Sequence, residues 1–180
     1  NVSPFMTLLA AFQFLLSRYC GQDDVAVGTP IAGRTRVEAE ELVGSLINTL
    51  VLRCKLEPER YFHAVLGQVR QTCVTGFAQQ DIPLDYLVGR LRAQAHGAAV
   101  PELRVMFNVL NARREPMQLE GLDVHYLSFS LGATQFDLGL SVDIEGERAL
   151  FANYSTELFS AGTVEALLGN YVHLIERLIE

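Results

Sequence analysis

LVGSLINTLVLRC, residues 42–54, is an apolar run broken by one amide, Asn48, and one cation, Arg53, with Gly44 near its start. Apolar residues on both phases (Ile47, Leu50, Val51, Leu52) predict a strand from Ile47 to Cys54 that is buried on both faces. A buried amide needs hydrogen-bond partners. Asn48 therefore reads first as a residue that satisfies a nearby loop backbone, and Arg53 as the strand's end at the surface. Further on, QDIPLDYLV (80–88) sets Asp81 and Pro83 at the mouth of a short apolar helix. Asp81 there is placed to accept the Leu84 N–H.

Outward from these runs, the apolar residues Phe5, Leu8, Leu9, Phe12, Leu15, Leu16 and Tyr19 fall at helical spacing and predict one apolar face of a long helix. Ser3 and Pro4 open this helix and Gly21 stops it. Asp24 to Ile31 reads as a strand, and GTPIAGRTR (28–36) runs on into a cationic loop carrying Arg34 and Arg36. A helical turn over Glu38 to Leu42 follows. A helix from Tyr61 to Phe77 comes next, then one from Pro83 that buries Leu84, Leu87, Val88 and Leu91. The remainder is strand-rich. Leu103 to Val109 alternates, and so does Phe136 to Val142 against Asp137, Gly139, Ser141 and Asp143. Glu145-Gly146 turns into a strand over Ala149 to Tyr154. A last helix starts near Ser160 and turns Val164, Leu167, Leu168, Tyr171, Ile175 and Leu178 inward. Helices at both ends of a mixed set of strands predict an α+β two-layer sandwich, with helices covering one face of a mixed β-sheet.

The bulk composition narrows the function classes. Apolar content of 49% and charge of 19% over 180 residues describe one packed domain or lobe. A net charge of −7, with no dense basic run, argues against nucleic acid. Cys20, Cys54 and Cys73 lie far apart in apolar contexts and read as reduced, buried side chains, and no CxxC or His-rich cluster suggests a metal. No apolar stretch is long enough to cross a membrane. With no signal segment in view, a cytoplasmic compartment is expected. His63, His96, His125 and His173 stand apart from one another, none with an Asp at the spacing of a catalytic motif.

Taken together and in order, GTPIAGRTR, LVGSLINTLVLRC, QDIPLDYLV and LRVMFNV (103–109) resemble the condensation domains of nonribosomal peptide synthetases. The resemblance covers nearly the whole chain and matches the C-terminal lobe. The family's paired-histidine motif, HHxxxDG, belongs to the N-terminal lobe and is not in the sequence. Residues 1–180 are accordingly expected to be the C-terminal lobe of such a domain, one lobe of a chloramphenicol-acetyltransferase-like fold.

What the resemblance implies is amide formation between a carrier-bound acyl or peptidyl donor thioester and an aminoacyl acceptor thioester. This fragment would be inactive alone. Partners implied are the N-terminal condensation lobe, peptidyl carrier domains and an adjacent adenylation domain. No cofactor would bind directly, since phosphopantetheine rides on the carriers. Asn48, Arg34 and Arg53 become candidates for lining the tunnel, while Asp81, Pro83 and Asp137 read as structural. Two departures from the family pattern stand out: Gln79 where a His is usual, and PELRVMF for PLFQVMF, with Arg104 where Gln is usual. A condensation-like recruitment platform, an epimerising relative and a coenzyme A-dependent acyltransferase are the alternatives. Exposed apolar surface where the other lobe docks makes self-association plausible.

Overall fold

The structure is a computed structural model that describes residues 2–56, 61–95, 100, 102–111, 119–125, 132–146 and 148–179. Ser3 caps the first helix, α1 (Pro4–Cys20), by accepting the Met6 N–H, and Gly21 ends it in the left-handed conformation. Strand β1 (Asp24–Ile31) pairs antiparallel with β2 (Asn48–Lys55). Helices α2 (Phe62–Ala78) and α3 (Leu84–Gln94) follow, then β3 (Val105–Leu110), β4 (Leu138–Asp143), β5 (Leu150–Tyr154) and α4 (Ala161–Ile179). The sheet order is β2-β1-β3-β4-β5. Its two inner pairings, β1 with β3 and β3 with β4, are parallel, and the two outer ones antiparallel.

One face of this mixed sheet carries the core. Val25 and Val27, Leu52 and Cys54, Phe107, Leu138 and Leu140 meet Leu9, Phe12, Val65, Val69, Cys73, Leu167 and Tyr171 from the helices. Val65, Val69 and Cys73 recur every fourth residue, so α2 buries a single stripe. The single apolar face read for α1 is too narrow. Ala10, Ala11 and Gln13 are fully buried as well, because α1 lies between α2, α4 and the sheet. Gln13 donates to the Leu52 carbonyl at 2.8 Å. Phe12 stacks on Phe107 at 5.4 Å and meets Tyr171 edge-on at 5.9 Å, joining α1, β3 and α4 through aromatic contacts.

Two burial expectations are overturned. Strand β2 is not buried on both faces. It is the sheet's edge, with Leu50, Leu52 and Cys54 inside and Val51, Arg53 and Lys55 outside. Helix α3 buries no residue fully, and Leu87 and Leu91 are exposed, because it touches little beyond β2. The connection between β1 and β2, with a 3-10 turn over Val37–Ala39, also points apolar side chains outward, most of all Val37, Val43 and Ile47.

Candidate functional site

Asn48 opens β2 on the helix side of the sheet, and its amide is fully engaged. Nδ2 donates to the carbonyls of Gln80 at 2.9 Å and Ile82 at 2.8 Å. Oδ1 accepts the N–H of Leu84 at 3.2 Å and of Thr49 at 2.8 Å. The N-terminal cap of α3 is therefore a side chain more than thirty positions away in sequence. The Leu84 N–H that Asp81 was placed to accept goes to Asn48, and Asp81 instead accepts from Thr35 Oγ1 at 3.5 Å. Pro83 occupies the cap position with no side chain to offer and with φ preset at −63°.

Arg34 turns back into its own loop. It donates to the carbonyl of Gly44 at 3.0 Å and to that of Ala39. Gly33, at φ +64°, packs so closely that a Cβ there would lie 1.9 Å from the Leu46 oxygen. Together these two residues close the β1–β2 connection into a fixed shape. Arg34, Asn48, Asp81 and Pro83 thus gather at one corner of the molecule.

Arg53 is not part of that corner. It stands five positions along β2 from Asn48, about 16 Å at strand rise, and on the opposite face. There it forms a two-pronged pair with Asp24, with contacts of 2.7 and 2.6 Å. The guanidinium holds the Asp24 carboxyl below the usual carboxylate range. On the same face, Arg104 pairs with Asp137 at 3.2 Å.

Among the described residues no helix packs on this second face, and a cavity of about 430 Å³ opens on it. Met106 and Asn108 of β3, Gly139 and Ser141 of β4 and Asn153 of β5 floor it, with Gln135 on the loop before β4. The sequence reading did not single out Asn108, Ser141, Gln135 or Asn153. The available signal was the polar phase of three alternating strands, which only the register brings together.

His125 meets Asp123 at 3.1 Å, but the two side chains are 77% and 88% exposed, without the burial that tunes a catalytic pair. His63 and His173 lie on the exposed sides of α2 and α4, and His96 falls outside the described residues. Burial pushes the Cys73 thiol up to about 12 and the Cys54 thiol in the same direction, whereas Cys20, read as buried, is exposed at the end of α1. His, Cys, Asp and Glu form no cluster of three or more fit for a metal ion among the described residues. No helix there is long and apolar enough to cross a membrane.

A family profile described as "Condensation domain" matches residues 1–180. The chain belongs to the condensation-domain family. A linear gramicidin synthase from Brevibacillus parabrevis is 43% identical over 176 residues, which cover 96% of this chain and 3% of that synthase. Two solved structures have the same fold. One is a four-domain nonribosomal peptide synthetase bound to AMP and glycine, with a TM-score of 0.83 at 17% identity, covering 99% of this chain and 15% of that one. The other is the first condensation domain of the calcium-dependent antibiotic synthetase in complex with a substrate analogue, with a TM-score of 0.73 at 24% identity, covering 95% of this chain and 38% of that one. The fold is thus the α+β, chloramphenicol-acetyltransferase-like sandwich of condensation domains. The chain spans only a few per cent of its synthase relative and about two-fifths of a solved condensation domain.

Proposed function

We propose that the chain is the C-terminal lobe of a condensation domain and supplies one wall of a cleft. There an aminoacyl acceptor amine attacks an acyl or peptidyl donor thioester to form an amide. The observation that carries this reading is a sheet that, among the described residues, has helices and core behind it and in front a cavity whose described lining is not ionisable. The amine attacks the thioester carbonyl, the C–S bond breaks, the thiol leaves on the donor's carrier, and the amine loses a proton. None of the described groups lining the cavity is an acid or a base, so this wall orients rather than transfers protons. Proton handling falls to the imidazole of the companion lobe's HHxxxDG motif. Holding two tethered thioesters in attack geometry supplies much of the acceleration. Phosphopantetheine stays covalently on the carrier domains, and an adenylation domain loads the acceptor.

Arg34 and Asn48 act by fixing the corner that leads from the β1–β2 connection to α3, and Arg53 with Asp24 lies on the wall itself. The apolar side chains exposed on that connection and on α3, including Val43, Ile47 and Tyr86, form the seat for the companion lobe. Left uncovered, they favour self-association. Condensation assays with donor- and acceptor-loaded carrier proteins test the reading. The 180 residues alone are expected to form no peptide, and a companion lobe with an intact histidine motif to restore turnover. Turnover by this chain alone overturns the half-site picture. No turnover with the companion lobe present favours a recruitment platform.

A further inference from the structure

Register fixes the floor of the cavity. One row across the sheet runs Gly28, Met106, Gly139, Asn153, and the next places Asn108 beside Ser141. Gly139 leaves the middle open: a Cβ there would meet only the Asn153 oxygen at 3.7 Å and Met106 Cβ at 3.9 Å, both ordinary contacts. The carboxamides of Asn108, Gln135 and Asn153 and the Ser141 hydroxyl all line this space, and none is hydrogen-bonded through its side chain to another described residue. None of the described lining residues is ionisable. Arg104 and Asp137, just ahead of β3 and β4, neutralise each other.

Resting on the condensing reading above, we propose that this cavity is a side-chain subsite for one of the two condensing aminoacyl groups. It selects an uncharged residue bearing a carboxamide or hydroxyl over an ionised residue of the same size. Each wall carboxamide offers both donors and an acceptor, so a carboxamide side chain finds partners for its N–H and C=O groups at once. A carboxylate brought into the same space meets no countercharge among the described residues, and as an acceptor only it leaves the wall's carbonyl oxygens unpaired. Sites built to hydrogen-bond a group discriminate strongly, because the wrong ligand leaves their own polar atoms unpaired. The volume falls in the range of small-ligand sites, roughly 300–1,000 Å³. Donor and acceptor present the same side-chain chemistry, so the test varies each in turn.

The experiment uses the complete condensing enzyme that contains this chain, with carrier-bound glutamine, glutamate and glycine offered first as acceptor and then as donor. In one of the two arms kcat/KM for glutamine is expected to exceed that for glutamate by about tenfold or more. Replacing Asn108 and Asn153 together by Ala is expected to bring that ratio towards one. Gly139→Ala, which the backbone accommodates, is expected to lower the glutamine-to-glycine ratio in the same arm. A direct readout accompanies these: the side-chain amide NMR signals of Asn108, Gln135 and Asn153 shift with the pantetheine thioester of glutamine and not with that of glutamate. Equal use of glutamine and glutamate in both arms, or amide signals that ignore both thioesters, overturns the subsite while glycine condensation leaves the condensing reading intact. Failure to condense even glycine overturns the condensing reading and the subsite with it.

Discussion

On the helix side of the sheet, Val25, Val27, Leu52, Cys54, Phe107, Leu138 and Leu140 are at most 9% exposed. Alternate positions of these strands carry Gly28, Met106, Asn108, Gly139 and Ser141, together with Asn153 of β5. Because strand side chains alternate, each strand serves two environments with successive residues. The covered face holds the fold together. The other face carries none of the described buried core side chains, which leaves its residue types open to recognition.

The widest separation between the two faces should appear on cutting Phe107, which touches both Phe5 and Phe12, back to Ala. A loss of about 3–5 kcal/mol in denaturant unfolding is expected, and a loss below about 1 kcal/mol would remove the distinction. Asn48→Ala comes next. It strands the Gln80 and Ile82 carbonyls and uncaps α3, for a loss of about 1–3 kcal/mol. Hydrogen exchange should speed up in the first turn of α3 before anywhere else.

Alkali probes the covered face differently. The folded state keeps Cys73 protonated up to about 12, while the unfolded chain ionises its thiols from about pH 8.5. Stability should be intact below that point and fall as pH rises through the folded value. At neutral pH a thiol reagent should label exposed Cys20 and spare buried Cys54 and Cys73. On the bare face, Ser141→Ala should shift stability by no more than about 0.5 kcal/mol, so any effect on substrate choice would be free of unfolding. Smallest of all is Asp24→Asn. The Arg53 pair depresses the Asp24 pKa, so its contribution is present above the ordinary carboxylate range and lost as pH falls through the lowered value. Salt should remove most of it, since both partners face solvent. Salt-independent destabilisation would mean that the pair is structural.

Local chemistry made much of the fold legible. Ser3, Gly21 and Ser160 mark helix ends by their own hydrogen bonds or backbone freedom, and the alternation around Leu138, Leu140 and Val142 marks a strand. Position within the sheet was not local. Val51 looks like a core residue in sequence and is exposed because it points to the sheet face that, among the described residues, no helix covers. Leu87 and Leu91 obey the helical period of a buried face, yet too little packs against α3 to cover them. The cap of α3 was sought in the adjacent Asp81 and came from Asn48 across the fold. Asn108, Ser141 and Asn153 are ordinary one strand at a time, and only the pairing of β3, β4 and β5 makes them neighbours.

Asn48, at the head of an edge strand, joins the Thr49 N–H beside it to the opening turn of α3 with a single planar group. The outward apolar side chains before β2 and those along α3 are therefore geared to one another. Loosening the Asn48 amide should slacken both surfaces together.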